Sequence, residues 1–264
     1  MAVKKVNFFS GCLHRRAEYQ IVFPSAFDGI KEGEAIDASG LKVLILLHGL
    51  CEMSDDYLEK TSIVELADKY NLCVILPNGE NSFYLDGAAT GRKYGTYVGQ
   101  EILMNAREQF KLTDKRENTF IGGSSMGGFG AIHTGLFFHE TFGGFFGMSS
   151  ALIMDAVASR QAAPSHGIAN QEYYDLMFGP SDEYLTSDND PRVLVRKMVA
   201  NGVDMPIIHL ACGTSDFMLQ ESRAFDAFLK EQGVAHTYVE GEGGHDFGFW
   251  SVQLEPAIKA MLCV

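Results

Sequence analysis

The chain predicts an α/β fold built on a mostly parallel sheet with helices on both faces. Short apolar runs rich in β-branched residues alternate with helical patterns along most of its length. Two of the runs, 43–47 and 72–76, are hydrophobic throughout rather than at every second position, as strands covered on both faces are. A glycine-rich segment, "IGGSSMGGFGA" (121–131), sits where one run gives way to a helix.

The first forty residues stand apart. "VNFFSG" and "RAEYQIVFP" read as antiparallel strands joined by a turn at one edge of the sheet. Buried strands follow at 41–47, 72–76, 118–123, 143–149 and 205–212, with "AHTYVE" (235–240) as a last, more exposed one. In "YVGQEILMNAREQF", Val98, Ile102, Ala106 and Phe110 form one i, i+4 stripe of a helix. "ESRAFDAFLKEQG" repeats the idea with Ala224, Phe225 and Phe228, and Gly233 serves as its C-cap. Strand then helix, repeated, implies parallel strands joined by crossover helices. No repeat, low-complexity tract or linker interrupts the pattern. The chain reads as one domain over 1–264, with 151–190 as an irregular, cap-like excursion over one face of the sheet.

Composition narrows the function. The charge of 21 − 34 = −13, without blocks of like charge, argues against nucleic acid and anionic membranes as partners. No run of about 18 apolar residues is present, so no transmembrane helix is expected. The start, "MAVKKVNFFSGCLHRR", has too short an apolar run for a signal peptide. Five scattered cysteines with no CxxC pair fit a reduced, cytoplasmic protein. The histidines lack metal-ligand spacing and no cofactor motif is visible, so neither metal nor cofactor is expected.

The glycine-rich segment lacks the lysine of a phosphate-binding loop. It does fit G-x-S-x-G at Gly123–Gly127, between an apolar strand and an apolar helix, where a nucleophile elbow belongs. The turn is so tight that residues two before and two after the nucleophile must be minimal. Centred on Ser125 these are Gly123 and Gly127; centred on Ser124 they are Gly122 and Met126, which would clash. Ser125 is therefore the candidate nucleophile.

A serine hydroxyl needs a base to take its proton and an acid to orient that base. His245, in "EGEGGHDFGFW", follows the last strand in a glycine-rich loop and is the candidate base. His14 precedes the main sheet, His133 and His139 fall in the helix after the elbow, and His209 lies inside an apolar strand. His236 opens a strand, and His166 lies in the excursion. Asp216, just past the strand ending at Cys212, is the candidate acid, ahead of Asp246 and Glu221. Donors for a developing oxyanion would be the backbone N–H groups of Met126 and of Leu50, the latter after "LILLHG".

With these stations in place, the sequence resembles the esterase D-like group of α/β-hydrolases. The likeness is nearest to bacterial tributyrin esterases, with feruloyl esterases and S-formylglutathione hydrolases further off. The motifs that carry it are "LLHGL", "LPNGENSFYLDG", "KRENTFIGGSSMGGFGA", "CGTSDF" and "GGHDFGFW", spread over about residues 41–250. The resemblance implies Ser125, Asp216 and His245 as a catalytic triad and Leu50 and Met126 as oxyanion donors. It implies a serine carboxylesterase acting on short acyl esters through an acyl-enzyme, with an acyltransferase on the same scaffold, an S-formylglutathione hydrolase, or a feruloyl or acetyl-carbohydrate esterase as the alternatives. The partner would be a small-molecule ester, and a homo-oligomer is compatible. Tyr84 and Asp86, in a loop resembling one near the family's substrate site, are candidate substrate contacts. Phe247 stands where the family often has tryptophan, and Pro256 should kink or restart the C-terminal helix.

Overall fold

The computed structural model describes residues 2–28, 35–159 and 170–263. Its centre is an eight-stranded sheet in the order β1-β2-β4-β3-β5-β6-β7-β8. β1 (Ala2–Ser10) and β2 (Arg15–Phe23) form the expected antiparallel edge, and β2 also runs antiparallel to β4. β3 (Lys42–Leu47), β4 (Leu72–Pro77), β5 (Thr119–Ser124), β6 (Gly144–Met148), β7 (Ile207–Gly213) and β8 (Thr237–Gly241) are parallel.

Continuous hydrophobicity in the central strands has the expected cause. In β3, Val43, Ile45 and Leu47 join the core on one face while Leu44 and Leu46 join the core on the other. Helices cover both. α1 (Asp55–Lys60), α2 (Ile63–Lys69) and α11 (Phe247–Leu262) pack on one side, through Tyr57, Leu66 and Trp250 among others. The opposite side takes α3 (Tyr94–Thr96), α4 (Ile102–Phe110), α5 (Met126–Phe137), α9 (Pro191–Ala200) and α10 (Leu219–Glu231). The stripe Val98, Ile102, Ala106 and Phe110 is buried, although a π-helical stretch at Tyr97–Glu101 leads into α4.

Some expectations are corrected. α11 runs unbroken through Pro256 instead of restarting there. The carbonyl that Pro256 leaves without a partner belongs to Val252, which is well exposed and open to water. Ala224 is exposed, and α10 buries Phe225 and Leu229 instead. His139 lies just beyond the end of α5, not within it. The stretch read as irregular carries three short helices: α6 (Met154–Ala158), α7 (Gln171–Phe178) and α8 (Ser181–Tyr184). In α7, Tyr174, Met177 and Phe178 form a buried i, i+3, i+4 stripe too short to register as a helix. Residues 160–169 of the excursion, with His166, lie outside the described residues.

The topology decides where a site can form. From β3 the chain crosses to β4 on one side, and from β5 to β6 on the other. Loops leaving β3 and β5 therefore part in opposite directions and open a crevice at the strands' carboxyl ends, the usual ligand position in such sheets.

Candidate active site

Ser125 occupies the turn between β5 and α5 with φ 55° and ψ −120°. Few non-glycine residues adopt this backbone, and holding it costs of order 1–3 kcal/mol. The surroundings over-determine it. Its N–H bonds the Met148 carbonyl (2.9 Å), and its own carbonyl accepts from Ala151 (2.9 Å) and Phe129 (3.1 Å). A Cβ on Gly123 would lie 2.5 Å from the Gly127 backbone, and one on Gly127 would overlap the Leu47 carbonyl. Both glycines are sterically required. Ser124 instead is fully buried, its hydroxyl 2.9 Å from that of Tyr57.

Asp216 and His245 lie on loops after β7 and β8. Backbone bonds stitch these loops together, Thr214 N–H to the Gly241 carbonyl (2.8 Å) and Ser215 N–H to that of Gly243 (2.9 Å). Burial pushes the Asp216 carboxyl up, but hydrogen bonds from His245, Ser149 and the Met218 N–H outweigh it and hold the group below the usual carboxylate range. An ionised carboxylate only accepts, so His245 Nδ1 carries the proton that meets Oδ1 at 2.9 Å and Oδ2 at 3.1 Å. In the neutral ring Nε2 is then an acceptor, and it lies 2.8 Å from Ser125 Oγ. Phe217 packs against the imidazole in a tilted arrangement at 4.2 Å between centroids, and Trp250 meets it edge-on at 5.3 Å. Asp246, a rival for the acid role, caps α11 through the N–H groups of Gly248 and Phe249. Glu221, the other rival, lies within α10.

The two candidate backbone donors lie on different loops: Met126 on the turn after β5, Leu50 on the loop after β3. Met126 is the first residue of α5, so its N–H has no partner within the helix. Leu50 follows a braced glycine. Gly49 N–H bonds the Glu52 carboxylate (2.7 Å), and the Gly49 carbonyl accepts from Glu52 N–H (3.3 Å). That carbonyl also lies 2.8 Å from His48 Nδ1. Because Gly79 N–H donates to His48 Nε2 (2.9 Å), the proton of this ring is on Nδ1 and points at Gly49. C=O and N–H of one trans peptide point in opposite directions. Anchoring the Gly49 carbonyl therefore aims the Leu50 N–H the other way. Burial pulls the His48 imidazole down, which keeps it in this neutral form, and pushes the Glu52 carboxyl up.

Tyr84 and Asp86 have hydrogen-bond partners within the chain. Tyr84 is fully buried, has φ 55°, and donates its hydroxyl to the His48 carbonyl (3.0 Å). Asp86 accepts from the N–H and hydroxyl of Thr96 at 2.9 and 2.5 Å. Sequence reasoning did not anticipate the support given by Asn78 and Asn81, which accept from the N–H groups of Ser54 (2.9 Å) and Cys51 (2.8 Å). Their signal was the cluster of amide and acidic side chains in "NGENSFYLD". Asp55 and Asp56 open α1, where Asp56 accepts from the Met53 N–H (2.7 Å).

A mostly parallel α/β sheet with a strained serine at its central turn, hydrogen-bonded to an imidazole that a buried carboxylate orients, has the construction of a serine hydrolase. Comparison with known proteins makes this particular. Residues 10–261 match the model of the family described as "Putative esterase", and the chain belongs to that family. An acetyl esterase of Caldicellulosiruptor saccharolyticus is 39% identical over 99% of this chain and 98% of its own length. A fluorophosphonate-binding serine hydrolase of Staphylococcus aureus superposes with a TM-score of 0.85 at 26% identity, over 99% of this chain and 98% of its own. An S-formylglutathione hydrolase of the same organism gives 0.84 at 26%, with the same coverage. The protein is a serine ester hydrolase.

Proposed function

We propose that this esterase cleaves short-chain acyl esters, acetyl esters foremost, through an acyl-enzyme on Ser125. The observation that carries the reading is the Ser125–His245–Asp216 hydrogen-bond chain, with 2.8 Å between Oγ and Nε2. As Oγ attacks the ester carbonyl, its proton passes to Nε2, and Asp216 stabilises the imidazolium. Charge on the carbonyl oxygen is met by the N–H groups of Leu50 and Met126. Collapse expels the alkoxide, which takes the proton from Nε2. Water repeats the cycle and releases the carboxylic acid. The likeness to an acetyl esterase supports the short acyl group.

A cleft of about 360 Å³ begins at Leu152, one residue past the Ala151 N–H that bonds Ser125, and is lined by Ile153, Arg192, Arg196, Phe225 and Phe228. Its size and mixed lining support it as room for the alcohol part of the ester. S-formylglutathione hydrolysis is the second reading, favoured by the likeness to the staphylococcal enzyme of that activity. One sheet running through the described residues supports one domain. The five cysteines, all free, support a reduced cytoplasmic setting. Among the described residues no helix is long and apolar enough to cross a membrane.

The test is Ser125→Ala assayed with p-nitrophenyl acetate. A fall in kcat of about 10³-fold or more is expected; retention of most activity would refute the nucleophile. A p-nitrophenyl series from acetyl to octanoyl, beside tributyrin, methyl ferulate and S-formylglutathione, should peak at the shortest acyl groups. Added alcohols should leave the free acid as main product, and dominant ester products would make the protein an acyltransferase.

A further inference from the structure

Two aromatic rings touch the His245 imidazole, and they differ in what else they do. Trp250 meets it edge-on, is only 3% exposed, and donates its indole N–H to Ser149 Oγ at 3.0 Å. That ring belongs to the core. Phe217, its centroid 4.2 Å from that of the imidazole and its plane tilted by 33°, is 63% exposed. A single exposed apolar side chain is ordinary on a protein surface. What sets this one apart is its place beside a proton-transferring group and the way it is held there. Asp216 N–H bonds the Gly213 carbonyl (3.1 Å), Asp216 Oδ1 accepts from Met218 N–H (2.8 Å), and the Asp216 carbonyl accepts from Leu219 N–H (3.2 Å). Phe217 thus sits in the middle of a turn closed by the carboxylate that orients His245. α10 starts two residues further on, and through Gln220, Glu221, Phe225 and Phe228 it walls the cleft that begins at Leu152.

We propose that Phe217 is a specificity-determining residue whose open surface packs against the alcohol part of the ester. It selects alcohols that carry an apolar, ring-bearing group next to the ester oxygen. This rests on the triad and the mechanism proposed above. In that mechanism the departing oxygen takes its proton from His245 Nε2, which places it about 3 Å from that nitrogen. The first carbons of the alcohol therefore lie beside the imidazole, where Phe217 is the exposed aromatic neighbour. Side chain and alcohol then remove apolar surface from water together. The cleft continues the same kind of surface through Leu152, Ile153, Phe225 and Phe228. The contact acts only on acylation, because the alcohol has left before water attacks the acyl-enzyme.

The test measures kcat/KM for ethyl, cyclohexylmethyl and benzyl acetate, which share an acyl group and have alcohols of similar leaving ability. The parent should favour the two ring-bearing esters. Phe217→Ala should lower kcat/KM about tenfold for those two, the size of effect one apolar contact gives, and less than twofold for ethyl acetate. Phe217→Leu should keep part of the preference and Phe217→Tyr most of it. Hydrolysis of the preformed acetyl-enzyme, followed in a single turnover, should run at the parent rate in every variant. Because the ring is exposed, thermal unfolding should show each variant folded. Equal losses on all three esters, or slower acetyl-enzyme hydrolysis, would mean that Phe217 acts through His245 and would overturn the contact with the alcohol. So would an unchanged preference in Phe217→Ala. Ser125→Ala, run beside them, should be inactive on all three esters; activity there would bring down the triad reading and this proposal with it.

Discussion

Two loops meet at the proposed oxyanion site, and opposite means hold them in place. The elbow at Ser125 is set by backbone against backbone: Gly123 against Gly127, and Gly127 against the carbonyls of Leu47 and His48. The loop from His48 to Asp56 is set by side chains instead, chiefly His48, Glu52, Asn78, Asn81 and Tyr84. The nearest neighbour of a Cβ added to Gly49 would be the Glu52 carboxylate, at 2.9 Å, the movable end of a flexible side chain. A steric constraint between backbones is all or none. A hydrogen-bonded brace is graded, each bond being worth about 0.5–1.5 kcal/mol, or up to about 3 when it is charged.

The largest expected effect tests the first half of that contrast. Gly127→Ala should cost about 3 kcal/mol or more, since neither the methyl nor the β3 carbonyl can move aside. Urea unfolding followed by circular dichroism would show this, and a variant as stable as the parent would remove the steric account of the elbow. Gly49→Ala probes the other half. It should fold with a loss of about 1 kcal/mol, while kcat falls about tenfold at nearly constant KM, because Glu52 must swing out and release the Gly49 N–H, loosening the residue whose carbonyl aims Leu50. Equal losses of stability in the two variants would erase the distinction.

The same contrast governs how much of the site was legible in the sequence. Constraints at the elbow act between residues two positions apart, so the choice of Ser125 over Ser124 needed only the string around it. Asp216 and His245 were legible because each follows a recognisable strand, and the alternation of strands and helices exposed the sheet. Support for the loop from His48 to Asp56 comes from 24 to 36 residues away, from Asn78 to Ser54 and Tyr84 to His48, and no local period records such pairings. Tyr84 was read as a candidate substrate contact because its loop resembles one near the family's substrate site. Its burial depends on Gly130 of α5, where an added Cβ would collide with the tyrosine ring. Nor did the string record the pairing of Ser149, at φ 48°, with an indole 101 residues further on.

Tyr84→Phe would sharpen the comparison at smaller scale. It removes one hydroxyl bond to the His48 carbonyl and leaves the ring in place. A loss of about 1 kcal/mol and a decrease in kcat of about threefold are expected, with KM little changed. If kcat remains at the parent value, the brace does not reach the proposed oxyanion donor.

The smallest effect should come from Glu52→Gln, and its sign depends on pH. Burial raises the Glu52 carboxyl above its ordinary value, with the Gly49 N–H only partly opposing it. A carboxyl that holds its proton more tightly in the folded state favours folding below its unfolded pKa, near 4.3, and loses that contribution as pH rises through the folded value. At pH 7 the ionised group is therefore a burden on stability. Glutamine keeps an oxygen for the Gly49 N–H and carries no charge. The variant should melt slightly above the parent at pH 7 to 8, and the gap should close as pH falls toward 4. A variant less stable at pH 7 would mean that the charged hydrogen bond to Gly49 outweighs the cost of burying the charge. The loop would then depend on ionised Glu52 much as the elbow depends on its glycines.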